Sequence, residues 1–222
     1  MKILNLYCGI GGNRKLWGDE HEITAIENEP KIAEIYQDFF PNDKVIITDA
    51  HQYLLDHYKE FDFIWSSPPC PSHSRIRKGS AVGRGQNEAV FPDMKLYEEI
   101  LFLQGYFKGD WIVENVIPWY KPLIEANKIG RHLFWSNKKI EDKKFEGKNH
   151  LDKQSDLQKV KGFDISKYKI GIRKDKILRN CVEPEVGLYI LKEITKNSLC
   201  PDEKCGKLWI ECNEYKLSTN RW

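Results

Sequence analysis

Two side chains of this 222-residue chain lie 44 positions apart and could do chemistry together. Cys70 stands between prolines in IWSSPPCPSHS, and Glu114 follows a short apolar run in IVENV. A thiolate is a strong nucleophile, and a carboxyl group beside it could bond to, or exchange a proton with, whatever the thiolate attacks. Pro68, Pro69 and Pro71 restrict the backbone and keep a helix from starting, which suits rigid presentation. Taken alone, each residue also has a plain structural reading. Free cysteine is among the most buried residue types, and a carboxylate after Trp111, Ile112 and Val113 could simply be paired.

A second set of residues could hold a ligand. Gly9, Gly11 and Gly12 in LYCGIGG let the backbone turn sharply and approach a bound group, with a helical segment expected next to offer free amides. Glu27 comes about 20 residues later, as expected for a carboxylate that grips ribose hydroxyls, and Asp49 follows a third apolar run.

The elements that must carry these residues are legible as β-rich runs alternating with amphipathic stretches, the pattern of βαβ units in a parallel sheet. Candidate strands are Ile3–Tyr7, Glu22–Ile26, Lys44–Thr48, Phe61–Trp65, Trp111–Glu114 and His132–Ser136. Helices are expected at Lys31–Phe40, closed by Pro41, at Met94–Phe107 and at Glu185–Lys196. On this reading the glycines, Glu27, Asp49, Cys70 and Glu114 all fall at strand carboxyl ends and converge on one crevice of an open α/β sheet.

The blocks LYCGIGG, IENEP, TDA, SSPPCPSHS, ENV and RNCVEPEV occur in the order of the cytosine-5 DNA methyltransferases, and the chain resembles most closely their compact phage-type members. The resemblance spans most of Ile3 to Ile190. It implies a Rossmann-like methyltransferase fold with a mostly parallel central sheet, helices on both faces and a reduced target recognition segment. It also implies S-adenosyl-L-methionine as cofactor and double-stranded DNA as partner. Tyr7, Gly9, Gly11 and Pro69 would border the cofactor. Glu27 would hold its ribose, Asn28 would lie next to the adenine, and Asp49 would accept from the adenine amine. Asn180 and Cys181 match the last motif, which packs back on the cofactor. Cys70 would attack carbon 6 of a flipped cytosine while Glu114 bonds ring nitrogen 3 and the exocyclic amine. Positive charge near the thiol would favour its ionised form, and Arg131 is the candidate.

The sequence departs from the family at Asn5, where aspartate is common, at Ser66 and Ser67, which replace glycines, and at GRHLFW, which has only part of the usual arginine pair. Only 47 residues separate His132 from Asn180, too few for an ordinary target recognition domain. Sequence selectivity is therefore expected to be minimal, or supplied by a partner protein. Methylation of an exocyclic amine is disfavoured, because Cys70 stands where an aromatic would follow SPP. An RNA substrate and a non-catalytic DNA-binding relative are the remaining alternatives.

Hydrophobic and charged fractions of 41% and 31% fit one soluble domain with a small appendage. The glycine-broken amino terminus fits neither a signal peptide nor a spanning helix, so a cytoplasmic monomer with reduced cysteines and no membrane contact is expected. The net charge of +2 conceals an asymmetry: Lys138–Arg179 carries fourteen basic against seven acidic residues. Such a stretch is either a solvated face or a phosphate-binding surface. The expected organisation is a catalytic, cofactor-binding part at 1–137 and a lysine-rich DNA-contacting segment at 138–178. A returning motif and helix follow at 179–198, then a tail at 199–222. Arg75–Asn87, with three glycines and four basic residues, is expected to be a lid. Cys200, Cys205 and Cys212 lack an evident fourth ligand, so no metal is assigned.

Overall fold

The computed structural model describes residues 1–75, 90–145 and 153–196. Its core is a seven-stranded sheet of order β3-β2-β1-β4-β5-β7-β6. The strands are β1 (Lys2–Leu6), β2 (Glu22–Glu27), β3 (Lys44–Ile47), β4 (Phe63–Ser66), β5 (Asp110–Val116), β6 (Asn127–Ile129) and β7 (His132–Ser136). β1 to β5 are parallel, whereas β7 runs antiparallel between β5 and β6. This is the mostly parallel α/β architecture the sequence implies. Strand order reverses at β1, with β2 on one side and β4 on the other, so a crevice opens at their carboxyl ends.

Burial on both sheet faces explains why the strands read as continuous apolar runs. Leu4, Leu6, Ile64, Trp111 and Val113 face one core with Leu96, Ile100 and Leu103 of α3 (Lys95–Tyr106). Their neighbours Ile3, Phe63, Trp65 and Ile112 face the other, against Val186, Ile190 and Ile194 of α6 (Pro184–Thr195). The period-two alternation thus assigns side chains to opposite layers.

A third cluster anchors the described part of the lysine-rich segment. α4 (Gln154–Lys161) and α5 (Lys174–Asn180) pack Leu157, Ile177 and Leu178, with Phe163 between them, against Ile32, Ile35 and Tyr36 of α1 (Pro30–Phe39). Several of its cations are engaged: Lys138 with Asp110, Lys161 with Glu183, Lys167 with Asp38, and Arg173 with Asp175. Part of this segment's basic character is therefore structural pairing along the described stretch. The lid expected at Arg75–Asn87 lies outside the described residues beyond Arg75, as does the cysteine tail. Among the described residues, no helix is long and apolar enough to cross a membrane.

The helical segment expected after the glycines is a single 3-10 turn, Asn13–Leu16, ended by Gly18 at φ 81°. α6 lies across that turn. A Cβ on Gly187 would meet Asn13 O at 2.3 Å, and Trp17 Nε1 donates to Gly187 O (3.2 Å). Gly12 is equally tight, because a Cβ there would meet Val182 O at 2.6 Å and Cys181 Cβ at 2.7 Å. Gly12→Ala should therefore destabilise the protein by about 1–3 kcal/mol through overpacking. Urea unfolding monitored by tryptophan fluorescence would measure this loss; an unchanged midpoint would contradict it.

Candidate active site at the strand carboxyl ends

The glycine turn is built for close approach. Gly9 (φ 55°) and Gly11 (φ 85°) have left-handed backbones, and Tyr7 just before them is, among the described residues, the non-glycine residue held there, at φ 53°. A Cβ on Gly9 would meet nothing within 4 Å, so the backbone faces open space. Gly9 N donates to Glu27 Oε2 (3.0 Å), while Asn28 N and Glu29 N share Oε1. Burial nonetheless raises the Glu27 carboxyl above its ordinary range. One lone pair of Oε2 remains for an incoming hydroxyl.

Asp49 is exposed and caps α2 (Ala50–His57) through Oδ1, which accepts from Gln52 N at 2.8 Å. Its second oxygen remains for an amine. A glycine facing open space, a carboxylate with one acceptor left and an exposed carboxylate cap together fit a nucleoside cofactor. Asn28 and Pro69 are exposed beside them, and Pro68 is buried. Asn180 is exposed, whereas Cys181 is buried against Gly12.

The cysteines separate clearly. Cys8 and Cys181 are buried, and burial pushes the Cys181 thiol up to about 12. Cys70 is only partly covered. Its turn is clamped to the segment following β5. Asn115 Nδ2 donates to Pro68 O (2.9 Å), Trp119 Nε1 to Ser72 O (3.0 Å), Trp119 N to His73 O (3.0 Å) and Arg75 Nε to Pro118 O (2.9 Å). The prolines are thus one part of a mount that β5 completes, and Asn115 sits next to Glu114. Glu114 is buried, and its charge acts on Cys70.

Residues 1–101 match the model of the C-5 cytosine-specific DNA methylase family.

The methylase match holds Tyr7, Gly9, Gly11, Glu27, Asn28, Asp49, Pro69 and Cys70, and ends within α3. Glu114, Arg131, Asn180 and Cys181 lie beyond it. No curated protein matches the sequence. Among solved structures, a hypothetical protein of Thermus thermophilus shares 13% identity over 61% of this chain and 73% of its own, with a TM-score of 0.39. A DNMT2 mutant of Spodoptera frugiperda shares 27% over 52% of this chain, with a TM-score of 0.38. A SAM-dependent methyltransferase from Agrobacterium tumefaciens shares 12% over 54%, with a TM-score of 0.33. The chain spans 35% of the DNMT2 chain and 40% of the Agrobacterium one.

Beyond the methylase match lie Arg131 and its neighbour His132. Arg131 is 74% exposed and turns toward Glu183 Oε1 at 3.5 Å. His132 is the neighbour that reaches Glu114, with Nε2 3.6 Å from Oε1. Strand register explains this: His132 pairs with Val116 and Phe134 with Glu114, so His132 projects toward the site while Arg131 sits in the β6–β7 turn. Positive charge reaches Cys70 from Lys176 of α5. The sequence offered no signal for Lys176, because α5 was not resolvable within a lysine-rich run. Asn115 was part of ENV and could have been weighed.

Burial first, and the Glu114 carboxylate second, hold the Cys70 thiol above its ordinary range, with Lys176 opposing. A raised thiol is protonated at pH values where a free one has begun to ionise, so alkylation of Cys70 should rise with pH along a curve displaced to the alkaline side. Glu114→Gln should move that curve toward lower pH and raise the rate at pH 8 by roughly threefold. Iodoacetamide labelling read by peptide mass spectrometry would measure it. Superimposable curves would remove Glu114 from the thiol's surroundings.

Proposed function

We propose that this chain is an S-adenosyl-L-methionine-dependent DNA cytosine-5 methyltransferase acting through a covalent Cys70 adduct. The methylase family match over residues 1–101 supports methyl transfer as the general activity. The observation that carries the finer reading is the bond from Asn115 to Pro68, which joins the strand end bearing Glu114 to the mount bearing Cys70.

A cytosine flipped from the duplex enters the open side of the crevice. Cys70 Sγ bonds to carbon 6 of the ring as the thiolate. Glu114, held by β5 with His132 Nε2 3.6 Å from its Oε1, acts as the carboxylic acid. It donates to nitrogen 3 and accepts from the exocyclic amine, passes its proton to nitrogen 3 as the attack places negative charge on the ring, and takes it back when the thiolate leaves. Glu27, Asp49 and the Gly9 turn would hold the cofactor, with Tyr7, Gly11, Asn28, Pro69, Asn180 and Cys181 around it. When bound, S-adenosyl-L-methionine supplies the electrophilic methyl group that carbon 5 takes. Loss of the carbon 5 proton and of the thiolate then restores the aromatic ring and frees the enzyme.

The basic residues of 138–178 that are not engaged in pairing contact the phosphate backbone, which positions the protein without specifying bases. Selectivity is accordingly weak, or supplied by a partner protein. The test is transfer of labelled methyl from the cofactor to DNA and, separately, to RNA, followed by nucleoside analysis. 5-Methylcytosine in DNA is the expected product. Label found only in RNA would replace the substrate, and label on an exocyclic amine would overturn the reaction.

A further inference from the structure

Glu99 of α3 is fully buried (0% exposed) and has no role in the chemistry above. Its Oε1 accepts from Tyr7 Oη at 2.6 Å and lies 3.1 Å from His51 Nδ1; its Oε2 accepts from Ser66 Oγ at 2.5 Å. His51 Nε2 lies 3.7 Å from Glu98 Oε2, so the imidazole stands between two carboxylates, and the bond to Glu99 raises it above its ordinary range.

The three partners come from three elements that end at the crevice. Tyr7 follows β1 and precedes the Gly9 turn by two residues. Ser66 ends β4, four positions before Cys70. His51 is in the first turn of α2, whose cap is Asp49. Both sides of the crevice and the nucleophile's mount are therefore tied to one carboxylate.

Stability alone gives this arrangement little reason to exist. A buried charged group is costly, and well-packed apolar residues commonly serve stability as well or better. Tyr7 adds to the cost, since a bulky side chain in the left-handed region is strained. Its hydroxyl is also the feature that lets the turn be held from below, because a phenylalanine in the same place could not donate.

We propose that Glu99 is a positioning residue that couples occupancy of the nucleoside seat to the presentation of Cys70. A ligand lodged against Tyr7 and Gly9 loads the Tyr7 ring. The ring is bonded to Glu99, and Glu99 to Ser66 at the root of the SSPPC mount. Coupling of this kind is reciprocal, so the state of the mount equally sets affinity at the seat. The proposal rests on the cofactor reading above.

The test uses the full chain and the rate of iodoacetamide alkylation at Cys70, read by peptide mass spectrometry. The probe is saturating adenosine, which lacks the amino-acid arm of the cofactor. Binding of S-adenosylhomocysteine is measured in parallel by calorimetry. Adenosine should change the wild-type rate about fivefold. In Tyr7→Phe and in Glu99→Gln that change should fall below about twofold, with Glu99→Asp restoring part of it. A wild-type rate indifferent to adenosine, or variants that keep the full change, would overturn the coupling while calorimetry still reports cofactor binding. No heat with S-adenosylhomocysteine would instead bring down the cofactor reading and the coupling with it. Tyr7→Phe removes one hydroxyl and serves as the decisive variant if Glu99→Gln fails to fold.

Discussion

Replacing Cys70 by alanine should reduce methyl transfer by roughly four orders of magnitude or more, because removal of a covalent nucleophile eliminates the adduct path instead of merely weakening it. Cys70 lies on a turn whose shape is set by backbone and side-chain bonds through Pro68, Ser72 and His73. The variant should therefore unfold at nearly the wild-type temperature, which separates lost chemistry from lost structure. A cytosine analogue carrying fluorine at carbon 5 sharpens the measurement. Once methylated it has no proton to lose there, so the thiol cannot be expelled and a denaturant-stable protein–DNA adduct accumulates. Wild type should give that adduct and Cys70→Ala should not. Substantial transfer by the variant would show that the thiol takes no part in the chemistry, and the covalent mechanism would fall.

The second large effect concerns stability behind the glycine turn. Arg14 and Asp43 are 3% and 2% exposed, and Arg14 Nε and Nη2 bond the two Asp43 oxygens at 2.9 and 3.1 Å. Tyr36 Oη donates to Asp43 Oδ2 at 2.7 Å. Asp43→Ala leaves a buried guanidinium whose other carboxylate partner, Asp19 at 3.2 Å, is largely in water. It also strands the Tyr36 hydroxyl. Removing one member of a buried pair costs about 3–5 kcal/mol, mostly from the charge left behind. Urea unfolding should show that loss, with Asp43→Asn falling between the two. A loss below about 1 kcal/mol would place this pair among ordinary surface ion pairs.

The same region holds a neutral amide pair. Asn5 stands where the family commonly has an aspartate, and it exchanges amide bonds with Asn13, whose Nδ2 donates to Asn5 Oδ1 at 2.8 Å. A neutral amide pair holds the start of the 3-10 turn without adding a second carboxylate near the buried Asp43.

Much of this protein was already determined by its sequence. Five strands with continuous apolar runs, the glycine turn, and carboxylates and a cysteine following successive strands are local patterns. A buried parallel strand must be apolar on both faces, and a left-handed turn calls for glycine, so these features survive as one-dimensional signals. The family match over residues 1–101 spans the glycine turn, Glu27, Asp49 and Cys70. Other features depended on which segments meet. β6 has three residues and no readable period, and α4 and α5 are hidden in a lysine-rich run because their apolar side chains matter only against α1. Arg131 and His132 are adjacent in sequence, but antiparallel register turns one to solvent and the other to Glu114. Lys176 acts electrostatically on Cys70 across 106 positions of sequence, and Glu99 gathers Tyr7, Ser66 and His51 from three elements. Pairings between distant side chains leave no period and no spacing in the sequence, so the residues that tune the thiol and steady its mount could be assigned only once the chain had folded.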